Sequence, residues 1–321
     1  PLPEELTTMP NAIEISYVVY EATDLDRMEA FLRDFGLVTA EKTADTLYMR
    51  GAGTVPYLHA TRRSSRNGFV GAALDMASRA ELDAVARLPG SSAVEPNPGP
   101  GGGWRVRMST PNGVPIDAVW GRQPAQSIVM REPNPYNWGT VKNRLNYSLR
   151  PKRVPGLVMR LGHFGLRVTD HDLTRAWFRD RFGLVDSDYL CVPGNEERVI
   201  GTFLRFDCGA TAVDHHSMLI TQSVNPNDTG VHHCSFEMQD IDELFGAHDH
   251  LLAQGHKLEC GVGRHLVGSQ IFDYWRDPFD NRIEHYTDGD VANNQYQPVR
   301  YAVAADDTTQ WGMDPPREFF D

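Results

Sequence analysis

Cysteine is scarce in this sequence: there are four among 321 residues, at Cys191, Cys208, Cys234 and Cys260, and none forms a CxxC pair. No secretory segment is apparent ahead of them, so a disulfide framework is not expected and a reducing, cytoplasmic setting is. Long apolar runs are also missing. Gly, Arg or Asp breaks each one within a few positions, far short of the roughly 18 residues a membrane span requires, which points to no membrane partner. Positive charge is outnumbered, with 31 Lys and Arg against 43 Asp and Glu and a net charge of -12, so no nucleic-acid partner is expected. Arg150, Lys152 and Arg153 make a local basic patch that reads as a solvated linker. The glycines between Pro96 and Gly103 lack both the GxGxxG spacing and the strand-to-helix setting of a phosphate loop. HExxH and HxxEH are absent as well, which removes the common helical zinc-protease arrangement.

With 40% apolar and 23% charged residues, the chain can bury two cores of ordinary size. Ile13 to Tyr20 reads as a strand from its β-branched and aromatic content. A helix follows, with a cap at Thr23 or Asp24, an apolar stripe of Leu25, Met28, Phe31, Leu32 and Phe35, and a stop at Gly36. Short strands around Thr46 to Arg50 and Val55 to Ala60 complete the unit. A second unit starts at Gly68, continues through a helix near Ser78 to Leu88, and ends in strands around Trp104 to Ser109 and Val114 to Val119. From about Gly121 to Pro155 the periodicity fades and Pro, Asn and Arg dominate, as in a linker. The pattern then restarts with a strand from Leu161 to Val168. A helix from Asp172 to Phe182 follows, with Leu173, Ala176, Trp177 and Phe178 available to its buried side, and Gly183 stops it.

The two stretches repeat each other. Phe182 to Val185 reproduces Phe35 to Val38, and Pro111 to Asp117 shares with Pro278 to Glu284 a turn, an apolar strand residue and a carboxylate. The expected fold class is therefore α+β, with two domains, each of two βαβββ modules: residues 1–150 and residues 151–321.

In the second half His163, His233 and Glu284 each sit in a short strand. Imidazole and carboxylate groups on the faces of otherwise apolar strands need compensation, and a metal supplies it directly. Two imidazoles and one carboxylate leave open positions on an ion, an arrangement that suits Fe(II) binding a bidentate ligand and dioxygen together. Zinc uses the same donors in hydrolytic sites. A single strand histidine is more often an ordinary hydrogen-bonded residue than a ligand.

The stretch from Gly162 to Tyr286 resembles the catalytic domain of the type I extradiol dioxygenases in the vicinal oxygen chelate superfamily. The resemblance rests on Gly162-His163, on the second histidine of the stretch Val231 to Phe236, and above all on Gly263 to Glu284. That last segment carries Gly263-Arg264-His265, Tyr274, a Pro-containing turn and Glu284 in the family's spacing. The resemblance implies a metal held by His163, His233 and Glu284, with Fe(II) as cofactor and Mn(II) as its leading substitute. It implies a catechol-type aromatic substrate and dioxygen as partners, and a homo-oligomer.

It also implies site roles. A histidine handling the substrate proton is supplied by Val213 to Met218: His216 fits if the following strand is ungapped, and His215 is the alternative. Period-two alternation places the two on opposite faces, so one of them is expected to enter the site. His265 matches a histidine contacting the substrate or lid, and Tyr274 a tyrosine hydrogen-bonding the metal-bound oxygen. Asp277 and Asp280 read as turn residues. Trp275, Phe272 and Trp311 are wall or core residues, and the extra length from Val291 to Asp321 is expected to cover the cavity. In the first half Tyr17 falls at the His163 position, no histidine occurs near Gly71, and only Asp117 resembles the carboxylate, so that half is expected to be non-catalytic. A metal-dependent isomerase or hydrolase of glyoxalase type, or a metal-free ligand-binding protein of the same fold, are the other readings.

Overall fold

The computed structural model describes residues 10–150, 152–225, 227–302, 304, 307–316 and 319. The chain begins with β1 (Ala12–Ala22), α1 (Leu25–Asp34), β2 (Val38–Lys42), β3 (Thr46–Arg50) and β4 (His59–Arg63). It continues with β5 (Gly68–Met76), α2 (Arg79–Ala86), β6 (Glu95–Pro96), β7 (Trp104–Ser109) and β8 (Pro115–Trp120). Local chemistry sets the helix ends. The Asp24 carboxylate accepts from the main-chain N–H groups of Asp26 and Arg27, and Ser78 accepts from that of Glu81. All five stripe residues of α1 are buried. The unit gains a strand over Val38–Lys42, which lies almost wholly exposed at the sheet edge and so carries little apolar signal. The strand expected at Val55 to Ala60 begins instead at His59.

These strands form one sheet in the order β2-β3-β4-β1-β5-β8-β7-β6. The leading strands of the two modules, β1 and β5, pair antiparallel at its centre. Residues 121–150 and 152–155 then cross without regular structure, apart from a bridge between Trp138 and Val141. Arg131 ties this crossing to Asp240 and Glu243.

The second half repeats the plan with β9 (Arg160–Val168), α3 (His171–Phe182), β10 (Val185–Val192), β11 (Asn195–Arg205), β12 (Val213–Asp214), β13 (Met218–Gln222) and β14 (Gly230–Glu237). After these come α4 (Ile241–Ala253), β15 (Lys257–His265), β16 (Ile271–Arg276), β17 (Arg282–Thr287), β18 (Val291–Ala292), β19 (Val299–Tyr301) and β20 (Thr309–Gly312). Gly183 caps α3 in the left-handed conformation at φ 66°. The buried face of α3 is His171, Thr174, Trp177, Phe178 and Phe182, whereas Leu173 is 54% exposed; Thr and His replace the expected Leu on the inner face.

The sheet order is β19-β10-β11-β13-β9-β14-β17-β16-β15-β20, with β9 and β14 antiparallel at the centre. The segment after Val291 adds a strand to each edge of this sheet as well as the short β18, so it extends the sheet rather than serving only as a cover. Among the described residues no helix is long and apolar enough to cross a membrane.

Candidate metal centre

Sheet register brings the three candidate ligands together. On the central strands His163 faces Ser235 across β9 and β14, and Ser235 faces Glu284 across β14 and β17. One step along, His233 faces Gly165. A side chain at Gly165 would press its Cβ to 3.0 Å from His233 Cε1, so the missing side chain is what lets that ring lie over the strand. His163 Nε2 lies 3.0 Å from His233 Nε2 and 3.2 Å from Glu284 Oε2, and the third edge of the triangle is 3.5 Å. Ligands about 2.1 Å from one ion need separations of this order. All three residues are buried, and among the described residues neither Glu284 oxygen receives a well-aligned hydrogen bond, the nearby imidazole nitrogens standing at ligand-to-ligand distances instead. Two carboxylate oxygens without aligned donors in a closed interior are costly unless a cation takes their lone pairs.

Burial pushes the Glu284 carboxyl up, but His163, His265 and His233 outweigh it and hold it well below the usual carboxylate range. Burial also keeps His233 neutral, with a proton affinity well below that of a free imidazole. An ionised carboxylate and neutral imidazoles are the forms that bind metal. The set is a two-histidine, one-carboxylate triad suited to Fe(II) or Mn(II), and among the described residues no other His, Cys, Asp or Glu group converges in this way.

The ligands have supports that sequence reasoning did not single out. His232 Nδ1 lies 2.7 Å from His233 Nδ1, and its Nε2 lies 2.9 Å from the Phe319 carbonyl oxygen. Arg167 donates to the same carbonyl, and the Arg282 guanidinium stacks 4.0 Å over the Phe319 ring. Phe319 thus lies behind a ligand.

His216 stands beside the triad, its ring centroid 4.5 Å from that of His163. Burial first, then His163 and His215, lowers its proton affinity well below that of a free imidazole. His215 does not take the opposite face expected from strand alternation. Residues 215–217 connect β12 and β13 outside either strand, so both imidazoles turn inward, with Nδ1 to Nδ1 at 3.0 Å. His265 Nε2 is 3.0 Å from the Tyr274 hydroxyl and 3.6 Å from Glu284 Oε1. Tyr274 pairs directly with Glu284 across β16 and β17, and burial followed by the Glu284 charge keeps its hydroxyl protonated. Phe272 stacks on His265 at 4.2 Å, Trp275 faces the other way and donates to Asp273, and Trp311 lies at the surface beneath Arg264. Asp277 accepts from the main-chain N–H groups of Phe279 and Asn281 and closes the turn before β17.

The corresponding row in the first half runs Tyr17, Ala73, Asp117, with Gly71 near where His233 would stand. Tyr17 donates to Asp117 at 3.1 Å and Arg105 pairs with it at 3.3 Å, so the carboxylate is already satisfied.

Residues 160–285 match the Glyoxalase/Bleomycin resistance protein/Dioxygenase superfamily. Metapyrocatechase 2 of Cupriavidus necator is 29% identical over 164 residues, 51% of this chain and 47% of that protein, so the match spans about half the length of the curated relative. The structure of homoprotocatechuate 2,3-dioxygenase from Brevibacterium fuscum in complex with 3,4-dihydroxyphenylacetate is similar at a TM-score of 0.80 and 18% identity, covering 100% of this chain and 95% of that one. The Mn(II)-bound glyoxalase from Novosphingobium aromaticivorans is similar at a TM-score of 0.78 and 21% identity, covering 97% and 94%. Both structures share the paired-module fold.

Proposed function

We propose that this chain, a member of the Glyoxalase/Bleomycin resistance protein/Dioxygenase superfamily through residues 160–285, is an extradiol dioxygenase that opens a catechol-type ring with dioxygen. The observation that carries the reading is the triad of His163, His233 and Glu284 with proton-handling groups on two sides of it, His216 on one and the Tyr274–His265 pair on the other. A bound Fe(II) or Mn(II) supplies a Lewis acid that makes a diol easier to deprotonate and a redox-capable centre at which diol and dioxygen meet.

The chain's own residues supply geometry and proton handling. Glu284 brings one negative charge and the two imidazoles bring none, so the ligand set leaves positive charge to attract an anionic diol oxygen. His216, neutral and beside the triad, takes a diol proton at its open nitrogen and returns it later to the product. Tyr274, held protonated, donates a hydrogen bond to oxygen at the reacting face, while His265 orients its hydroxyl. The apolar residues Phe203 and Phe272 against these groups limit the water that competes for the site.

The likeness to a Mn(II)-bound glyoxalase favours one rival, a metal-dependent isomerase that consumes no oxygen. An oxygen electrode separates the two: Fe(II)-loaded protein with a panel of one- and two-ring catechols is expected to consume one dioxygen per ring opened. Uptake with no member of the panel, while metal is bound, rules the dioxygenase reading out. We further propose that residues 1–150 form a non-catalytic partner domain and residues 151–321 the catalytic one. A reducing cytoplasm fits four cysteines that are all free; the homo-oligomer rests on the family resemblance, and light scattering showing a strict monomer would contradict it.

A further inference from the structure

Behind His216 lies a chain of buried polar groups that the proposed chemistry does not yet use. Asp188, on β10, is 1% exposed, and among the described residues no arginine or lysine forms an ion pair with it, the nearby Arg205 guanidinium being held by the Asp186 carbonyl and the Ser187 hydroxyl. Its Oδ1 accepts from the Val299 main-chain N–H at 2.7 Å, the Tyr296 hydroxyl lies 3.1 Å from both oxygens, and its Oδ2 lies 2.9 Å from His215 Nε2. Three donors on one carboxylate leave it only an acceptor's role. His215 is pinned by its own main-chain N–H, which donates to the Asp290 carbonyl at 2.8 Å, and its remaining nitrogen, Nδ1, lies 3.0 Å from His216 Nδ1. Among the described residues His216 Nε2 has no hydrogen-bond partner.

We propose that Asp188 and His215 are positioning residues that fix the tautomer of His216, so that its Nε2 faces the metal side without a proton. The inference rests on the dioxygenase reading only for what that nitrogen does; the tautomer follows from the bonds when both rings are neutral. Asp188 takes the Nε2–H of His215. In the neutral pair, His215 Nδ1 is then an acceptor, and the single proton between the two rings belongs to His216 Nδ1. His216 Nε2 is left as a lone pair, the form a proton acceptor needs. A carboxylate that orients an imidazole in the tautomer required of a base is the logic of hydrolytic triads, here lengthened by one ring.

The packing holds the pair in place. Gly268, at φ +77°, lies so close that a Cβ there would sit 3.2 Å from His215 Nδ1 and 3.3 Å from His216 Nδ1. Phe203 meets the His216 ring edge to face at 4.8 Å. Neither ring can rotate without moving these neighbours, so the tautomer is set by the hydrogen bonds and not by a ring flip.

The test uses full-length protein labelled with nitrogen-15 histidine and loaded with Zn(II), which is diamagnetic, at about pH 8, where free imidazole is neutral. Histidine nitrogen shifts distinguish the two tautomers directly. The wild type is expected to show His216 with Nδ1–H and a bare Nε2. His215→Phe removes the acceptor, and Asp188→Asn weakens the hold on His215. Both are expected to mix the tautomers and, in the Fe(II)-loaded enzyme, to lower kcat by about 10- to 100-fold with metal content and KM for catechol kept. Asp188→Glu is expected to recover part of that loss. His216 carrying Nε2–H in the wild type overturns the proposal whether or not the variants fold, and so does an unchanged tautomer in a folded His215→Phe protein. If the tautomer is as expected but the wild type opens no catechol, the dioxygenase reading fails and the positioning role stands.

Discussion

His285 stacks on Phe35 at 3.7 Å between ring centroids, and its Nε2 lies 2.6 Å from the Phe35 carbonyl oxygen. His285 follows the ligand Glu284 on β17, so the two side chains leave opposite faces of one strand. One enters the metal centre and the other is clamped by the end of the first helix in the first half. This contact ties the first half to the site, since it fixes the strand that carries the only carboxylate of the triad. Phe35→Ala is expected to cost about 3–5 kcal/mol of stability, read by denaturant unfolding, and to loosen metal binding as well. Full metal affinity in that variant would show the clamp to be dispensable to the site.

His232 supports His233 from behind and is itself held by the Phe319 carbonyl. Partners of this kind set ligand orientation, and their loss commonly costs about 10- to 100-fold in metal affinity. His232→Ala is expected to fall in that range in a competition assay with a chelator, and Phe319→Ala to weaken binding less, because the carbonyl it presents remains.

Gly165→Ala would push a methyl group against the His233 ring from 3.0 Å away. The strand around it is central and cannot shift freely, so the ring is expected to move. Metal content after dialysis is expected to drop by tenfold or more while secondary structure by circular dichroism stays intact, a separation of site from fold that a general packing defect would not give.

Stability should depend on pH through His59, which stacks on Tyr20 and is not one of the three ligands. Burial pulls its imidazole down to about 3, against about 6.5 in an unfolded chain. Between those values the unfolded state binds a proton that the folded state does not, so stability present above about pH 6.5 is lost as pH falls, by about 1.4 kcal/mol per unit. His59→Leu, which keeps an apolar group against Tyr20, is expected to flatten urea-unfolding stability against pH in this window; an unchanged slope would contradict the assignment.

Where a residue's neighbours are close in sequence, or its pattern is strongly periodic, the chain was readable in advance. The stripe of α1, the caps at Asp24 and Gly183 and the repeat of one half in the other are of that kind. The three ligands were legible chiefly through the family resemblance of the segment Gly263 to Glu284, since a polar group on an apolar strand face does not by itself single out a ligand. β2 was not, because an edge strand with Val38, Ala40, Glu41 and Lys42 all exposed has no buried face for alternation to mark. Leu173 was placed inside on hydrophobicity alone, while Thr174, bonded to the Asp170 carbonyl, takes the buried position. His215 was assigned by strand alternation in a segment that is not strand. Asp188 and Phe319 reach the site from distant sequence, 27 residues before His215 and 87 after His232, and nothing local marks them.

The most direct measurement of the central claim is the fate of dioxygen itself. Fe(II)-loaded protein is mixed with a catechol that it binds under oxygen-18 gas, and the product is analysed by mass spectrometry, with Glu284→Ala as control. The wild type is expected to give a ring-opened product whose new carboxylate carries label from the gas, and the control, which has lost the only anionic ligand, to give no product. A metal-loaded wild type that converts its substrate without incorporating gas-derived oxygen would contradict the dioxygenase assignment and would favour a metal-dependent isomerase.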